Sequence, residues 1–270
     1  MKRLLVFAAS AGIAVAALAA QAPAPAPVAS PFDGTWKIDV GTSELPTKPD
    51  AYLLKDGTYH CDSCVPPVVV QADGRDHQVT GHPYYDTKSV RVIDALAIES
   101  IDKKGGKVVD QARLTVSADG KTATRVETDS SAPNGPPVTS KVTYTRVLRG
   151  AAGSHAISGS WRIVKIDNMS DNGLLVTFKV DGTKLQMNNP LGQSYAAGLD
   201  GSDSPFVGDP GVTSVSVKKM GQNTFEETDK RDGKAIWVGR MTVSADGKSM
   251  TIMWIDNLHG TSGVYRANKL

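Results

Sequence analysis

Both cysteines of the chain and three of its five histidines lie in one short segment, residues 60–82. Their spacing is Cys61-x2-Cys64-x12-His77-x4-His82, which has the form of a two-cysteine, two-histidine zinc site. A Cys-x-x-Cys pair is also typical of thioredoxin-like redox centres. In an oxidising compartment, two cysteines this close are most often joined to each other. The segment therefore raises three hypotheses: a zinc site, a redox centre and a disulfide.

The residues around this cluster favour the disulfide. A zinc finger carries its histidines on a helix, but Gly81 and Pro83 oppose helix formation here. A redox pair works at the N-terminus of a helix, whereas Cys64 is followed by two prolines and a β-branched run. We therefore predict a Cys61–Cys64 disulfide, and no metal ligand or cofactor.

The same segment continues into a second group of side chains that could do chemistry. Tyr84 and Tyr85 follow His82 and precede Asp86, so they could line the mouth of a site and hydrogen-bond a ligand. Alternatively, they belong to a loop in which one tyrosine packs in the core and the other covers an end of a barrel. A third hypothesis joins His82, Tyr85 and Asp86 in an acid/base group of an isomerase- or hydrolase-type enzyme. No catalytic residue is assigned, and a non-enzymatic role is favoured.

A run of alternating apolar residues near the C-terminus is a further candidate for ligand binding. Met250, Ile252 and Trp254 share one face of a predicted strand. An internal repeat, described below, places Ala123, Arg125 and Glu127 at the corresponding positions, and Asp110 where the second copy has Trp237. One face is thus apolar in the second copy and polar in the first. The apolar set either lines a cavity or is buried, in a core or against the first copy.

The N-terminus predicts export. Lys2 and Arg3 precede an uncharged apolar run that ends in Ala17-Leu18-Ala19, as in a secretory signal peptide over residues 1–19. The run is too short for a secure membrane span. Residues 20–31 alternate proline and alanine and predict an extended linker. We expect a periplasmic or secreted protein without stable membrane insertion.

Charge argues against nucleic-acid partners. The chain has 30 Lys+Arg and 28 Asp+Glu, and removal of Lys2 and Arg3 with the signal peptide leaves these totals equal. A neutral surface has no long-range attraction for nucleic acid or anionic lipid.

The chain contains a duplication. The segment GTWKID from Gly34 recurs as GSWRIV from Gly159, and RLTVSADGKTAT from Arg113 recurs as RMTVSADGKSMT from Arg240. The long distance along the chain between the two copies of each segment indicates two copies of one domain rather than a solenoid of short repeats. We predict repeat 1 over 32–148, a small-residue linker over 149–156 and repeat 2 over 157–270.

Each copy reads as β-structure. Short alternating or β-branched runs are separated by Asp-Gly turns such as Asp56-Gly57 and Asp119-Gly120. No segment outside the signal peptide has a helical period. About seven or eight strands per copy predict two tandem antiparallel β-barrels.

These segments resemble a known superfamily. Gly-x-Trp on the first strand with an arginine on the last is similar to the lipocalins (calycins), in which that arginine packs across the tryptophan and closes the barrel. FDGTWKID, DGRDHQVTGHPYYDT, VSADGKTAT and VTYTRV resemble exported bacterial lipocalin-like proteins of unassigned function. The resemblance assigns barrel closure to Trp36, Arg146, Trp161 and Arg266.

The resemblance also implies a role. We expect an exported protein that binds a small apolar or amphipathic ligand in a lipocalin-like barrel; the ligand-binding candidates are Tyr84, Tyr85, Trp237, Met250, Ile252 and Trp254. The enzyme hypothesis and a purely structural module with filled barrels stay open as alternatives. Protein partners and oligomeric state are not indicated by the sequence.

Overall fold

The computed structural model describes residues 29–270, and this part of the chain is almost entirely β-structure. Its strands form two antiparallel sheets of ten strands each, and its only helical element is a single 3-10 turn, Asp171–Gly173. The all-β fold with two barrels is therefore confirmed, although each sheet has more strands than expected. The predicted signal peptide and residues 20–28 of the predicted linker lie outside the described residues. No helix among those described is long and apolar enough to cross a membrane.

The first barrel is the sheet formed by the strands β2 to β11. Its strands are β2 (Asp50–Lys55), β3 (Thr58–Cys61), β4 (Val68–Gln71), β5 (His77–Gln78), β6 (Thr87–Asp94), β7 (Ala97–Lys104), β8 (Lys107–Val116), β9 (Thr122–Asp129), β10 (Val138–Arg149) and β11 (Gly159–Met169). In space they follow the order β4-β3-β2-β11-β10-β9-β8-β7-β6-β5.

The second barrel combines β1 (Gly34–Ile38) with all the remaining strands. These are β12 (Leu175–Asp181), β13 (Lys184–Asn188), β14 (Ser194–Gly198), β15 (Asp200–Pro205), β16 (Ser214–Lys219), β17 (Thr224–Arg231), β18 (Lys234–Val243), β19 (Ser249–Asp256) and β20 (Thr261–Lys269). In space they follow the order β14-β13-β12-β1-β20-β19-β18-β17-β16-β15.

The two repeats exchange their first strands. β1 pairs with β12 and β20, both of repeat 2, whereas β11 pairs with β10 and β2 of repeat 1. The expectation that each repeat supplies all the strands of its own barrel therefore needs correction. The domain boundaries stay a prediction, but they do not coincide with the sheets.

The segment expected as an interdomain linker, residues 149–156, belongs to a connection within the first barrel. It joins β10 to its neighbour β11, and the backbone N–H of His155 donates to Leu54 O at 2.8 Å. A short antiparallel connection keeps consecutive strands adjacent, which places β11 in the first barrel. The chain crosses between the barrels instead at residues 39–49 and 170–174.

Both sheets are nearly closed. In the first barrel, Gly74 N donates to Val90 O at 2.8 Å, which brings the β4 end of the sheet to β6. In the second, Ser194 and Val207 form a bridge across the gap. Near-closure satisfies most edge backbone groups, and the two barrels fit the calycin-like arrangement that the resemblance implies.

A tryptophan and an arginine close one end of the first barrel. The Arg146 guanidinium lies 3.9 Å from the centre of the Trp161 ring and donates to three backbone carbonyls, including Ser158 O at 2.7 Å. The Trp161 Nε1–H donates to Ile157 O at 2.8 Å. The exchange thus pairs Arg146 with the tryptophan of the other repeat.

The second barrel closes differently from the expectation. Lys269, not Arg266, covers Trp36, with its Nζ 4.9 Å from the ring centre. Arg266 is about half exposed and instead donates to Thr42 O at 3.1 Å. The loop between β19 and β20 is shorter than the one between β9 and β10, and this difference moves Lys269 into the position that Arg146 occupies in the first barrel.

Candidate functional site

The open end of the first barrel contains a cavity of about 430 Å³. Its walls are the inward-facing side chains of β2, β3 and β6 to β9, and its rim includes Leu191, Gln193 and Asp209 of the second barrel. The opposite end is filled by an apolar cluster around Trp161 and Val116. A site in this barrel is therefore restricted to the open end.

The disulfide lies on the wall of this cavity. Cys61 and Cys64 are bonded, with their sulfurs 2.07 Å apart, which confirms the prediction. His77 Nε2 is 2.8 Å from Asp73 Oδ1, and His82 stacks on Tyr85 with ring centres 4.5 Å apart. The structure thus distributes the four residues of the zinc-like pattern among a disulfide, a histidine–aspartate hydrogen bond and an aromatic stack.

A buried ion pair lies at one side of the cavity. Lys88 Nζ donates to Asp102 Oδ1 at 2.5 Å, and both residues are buried. The two side chains come from neighbouring strands, β6 and β7, whose inward-facing positions meet in the register. Lys88 also lies 5.1 Å from the Tyr85 ring centre. The charge of Lys88 is therefore already matched within the protein.

A second charged group crosses the cavity on β8 and β9. Arg125 Nη2 donates to Glu127 Oε1 at 2.5 Å and lies 3.7 Å from Asp110 Oδ1. Burial, reinforced by neighbouring Glu127, raises the pKa of Asp110 to about 8. The buried Arg125 Nε has no hydrogen-bond partner among residues 29–270. Arg125 is thus committed mainly to Glu127, and Asp110 is a carboxyl without a cation of its own.

The rest of the wall is rich in tyrosine. Tyr52, Tyr59 and Tyr85 line the cavity. Burial raises the pKa of each phenol above its ordinary value, so all three are uncharged at neutral pH. A neutral phenol presents both a hydrogen-bonding hydroxyl and an aromatic face that attracts cations.

Tyr84 closes part of the rim by contacting the second barrel. Its hydroxyl donates to Asp209 Oδ1 at 2.9 Å. A Cβ atom on Gly211 would lie 2.2 Å from that hydroxyl oxygen, so only glycine fits beneath the tyrosine. Asp209 is held in turn by Gln193 Nε2 at 2.9 Å. Both tyrosines predicted for ligand binding are therefore at the cavity, but Tyr84 also joins the barrels.

The structure does not assemble the acid/base group of the enzyme hypothesis. His82 and Tyr85 are stacked, but the Asp86 carboxylate accepts hydrogen bonds from Gly105 N and Thr87 Oγ1, both at 3.0 Å. In the part of the chain that the structure describes, no hydrogen bond joins Asp86 to His82.

The apolar run of the second copy is divided between a core and a cleft. Met250 and Ile252 are buried in the packed core of the second barrel, so neither lines a ligand cavity. Trp237 and Trp254 line a separate cleft of about 370 Å³ between the barrels. The corresponding positions in the first copy hold Asp110, Arg125 and Glu127, which line the polar cavity of the first barrel.

The second barrel has its own pair of buried carboxyls. Tyr195 Oη donates to Glu227 Oε2 at 2.5 Å, and burial raises the pKa of both Glu227 and neighbouring Asp229. Large side chains, including Phe32, Phe225 and Met241, fill the space behind them. The second barrel is therefore filled on one side of these carboxyls only, because Glu227 and Asp229 also line a pocket of about 370 Å³.

Sequence reasoning did not identify several residues of the first-barrel cavity. Lys88, Asp102, Tyr52 and Tyr59 each lie at inward positions of strands whose alternation is weak or short. The alternation of Lys88 with Val90 is the one signal that could have indicated an inward lysine.

Comparisons with protein-family models and with curated proteins found no match to this chain. The assignment of a function therefore rests on the geometry of the site.

Proposed function

We propose that the protein is an exported binding protein whose first barrel holds a small amphipathic cation. The apolar part of the ligand would lie against the tyrosine faces, and its cationic group would pair with Asp110. The observation that carries this proposal is the charge arrangement of the cavity. Each protein cation there is already paired, Lys88 with Asp102 and Arg125 with Glu127, whereas Asp110 only shares Arg125, at the longer distance of 3.7 Å, and its pKa is raised.

The same side chains indicate the sign of the ligand's charge. The cavity is lined by five carboxyl groups but by only two cationic side chains. An anionic ligand would add charge to an acidic site, whereas a cation would ionise Asp110 and match it. Neutral tyrosine faces add cation–π attraction. The class of ligand expected from the sequence, apolar or amphipathic, thus narrows to an amphipathic ligand with a positive charge.

Export is supported by two features. The N-terminal pattern of charge, apolar run and small residues is typical of a signal peptide. The Cys61–Cys64 disulfide fits an oxidising compartment. A periplasmic or secreted location is therefore part of the proposal.

Three probes with the same aromatic body test the proposal. These are 2-phenylethylamine, which is cationic, 2-phenylethanol, which is neutral, and 3-phenylpropionate, which is anionic. We expect the amine to bind the wild-type protein at least about tenfold more tightly than the alcohol, since one buried charge pair contributes more than 1.4 kcal/mol. The carboxylate should bind most weakly. Dissociation constants are measured by calorimetry at pH 7.5.

The Asp110→Asn variant is the decisive comparison. It keeps the shape of the side chain but cannot become negative, so the preference for the amine over the alcohol should disappear while binding of the alcohol is retained. The same change at exposed Asp62 is the matched control and should leave the preference intact. Tighter binding of 3-phenylpropionate than of the amine would contradict the proposal.

A further inference from the structure

The cleft between the barrels is separate from the first-barrel cavity. Its volume is about 370 Å³, and both barrels contribute to it. Asp50 and Ser63 come from the first barrel, and Trp237, Trp254 and Tyr265 come from the second. Prolines of the crossing segment 39–49 complete the wall. The cleft therefore exists only because the two barrels are held together.

One wall of the cleft is flat and aromatic. The Trp254 and Tyr265 rings stack with centres 5.2 Å apart and an angle of 28° between their planes. Gly263 makes this packing possible, because a Cβ atom there would lie 2.6 Å from the Trp254 ring. Trp237 contributes a third ring to the lining. Planar aromatic surfaces of this kind suit a planar apolar ligand.

Two polar atoms of residues that line the cleft lack hydrogen-bond partners within residues 29–270. They are Trp254 Nε1, in a side chain that is only 5 % exposed, and Thr261 Oγ1. An indole N–H can only donate, and buried donors in native proteins are nearly always paired. In contrast, the indoles of Trp36 and Trp161 both donate to backbone carbonyls. An acceptor supplied at the cleft would satisfy both groups.

The charges around the cleft balance. His259 Nδ1 lies 2.7 Å from Asp256 Oδ2, so these two groups satisfy each other. Lys48 donates to the backbone carbonyl of His259 at the rim, and Asp50 supplies a carboxyl on the opposite barrel. Lys48 and Asp50, one cation and one carboxyl, are thus left beside the His259–Asp256 pair. Because the cleft has no excess of positive or negative charge, it does not favour a charged ligand.

We propose that this cleft is a second binding site, which takes a flat, uncharged aromatic ring that carries a carbonyl or an equivalent acceptor. The ring packs against Trp254, Tyr265 and Trp237, and the acceptor receives a hydrogen bond from Trp254 Nε1, with the Thr261 hydroxyl as the second donor. This site does not depend on the function proposed for the first barrel, because it shares none of the residues that line that cavity.

Acetophenone and ethylbenzene are suitable probes, because they have similar shapes and only the first carries an acceptor. The indole N–H signals of the full-length mature protein are followed by two-dimensional ¹H–¹⁵N NMR during titration with each probe. We expect acetophenone to move the Trp254 signal downfield, and the Trp36 and Trp161 signals to stay in place. Acetophenone should bind about tenfold more tightly than ethylbenzene, as expected for one buried hydrogen bond.

Two variants complete the test. Trp254→Phe retains an aromatic ring without the N–H, and should lose most of the preference for acetophenone, since only the Thr261 donor remains. Thr261→Val keeps the shape of the side chain and should reduce the preference for acetophenone partially. The same change at Thr224, which begins β17 and does not line the cleft, should leave the preference unchanged. Equal affinities of the two probes for the wild-type protein would overturn the proposal. So would binding that leaves the Trp254 signal unmoved.

Discussion

Replacing Asp110 by asparagine should make the first barrel more stable at high pH. In the ligand-free protein, burial and Glu127 hold the pKa of this carboxyl at about 8, against an ordinary value of 3.8. The folded state therefore keeps a proton that the unfolded chain releases. The contribution of Asp110 to stability is fully present below about pH 4 and is lost as the pH rises towards 8.

The size of this effect can be worked from the shift. One pKa unit corresponds to 1.36 kcal/mol, so the whole shift sets an upper limit of about 6 kcal/mol. Two features reduce it: Asp110 shares its environment with Glu127, and its side chain keeps 15 % exposure to the cavity. We therefore expect Asp110→Asn to exceed the wild type by about 2 kcal/mol in free energy of unfolding at pH 9, and to match it at pH 4.

Urea titration read from the amide signals of β8 and β9 measures this difference. Local signals are needed because the two barrels can unfold in separate steps. The Asp62→Asn variant is the control and should follow the wild-type pH profile. If Asp110→Asn also follows the wild-type profile, or is the less stable protein at pH 9, the description of Asp110 as a carboxyl without its own cation is wrong.

Three further substitutions test other parts of the structure. Arg146→Ala should destabilise the first barrel by about 2–3 kcal/mol in urea unfolding, since it removes a cation–π contact and three hydrogen bonds to carbonyls. Arg266→Ala should lower the free energy of unfolding by less than about 1 kcal/mol. Equal effects would contradict the assignment of the closing residues. Lys88→Met should lower the free energy of unfolding by about 3–5 kcal/mol, because it leaves Asp102 buried and unpaired, and the additional change Asp102→Leu should restore most of this stability. A double variant no more stable than Lys88→Met would show that the pair itself is needed. Gly211→Ala should separate the barrels locally and increase hydrogen exchange at the Tyr84 loop, but it should add nothing to the exchange of the Tyr84→Ala variant, which has already lost the contact; unchanged exchange in the Gly211→Ala variant would mean that this contact is not rigid.

The fold class could be predicted because alternation and turn chemistry act locally. The Asp56-Gly57 turn, for example, has positive φ at both residues and joins β2 to β3, as its sequence indicates. The strand count was too low because β3 and β5 are only four and two residues long, and β2 carries no clear alternation. Short strands take their geometry from neighbouring strands, which a local pattern does not report.

The strand exchange could not be predicted from the repeated motif. β1 and β11 both carry Gly-x-Trp, so either strand fits beside either final strand. The short connection between β10 and β11 decides the pairing, since it keeps these consecutive strands adjacent. The same segment, read as small and glycine-rich, had predicted an interdomain linker.

The polar lumen was only partly visible in the sequence. Alternation shows that Arg125 and Glu127 share a face with Ala123, but it does not show whether that face points into the barrel. The buried position of Lys88 depends on Asp102, which lies on the next strand. Such pairs arise from register between strands and have no local signal.

Proton release on ligand binding tests the central claim most directly. At pH 7 the carboxyl of ligand-free Asp110 is mostly protonated, and a bound cation should ionise it. Calorimetric titration of the wild-type protein with 2-phenylethylamine, in two buffers of different ionisation enthalpy, should therefore show release of up to about one proton per ligand, and the Asp110→Asn variant should show none. Binding of the amine without proton release by the wild type, or with equal release by both proteins, would contradict the account.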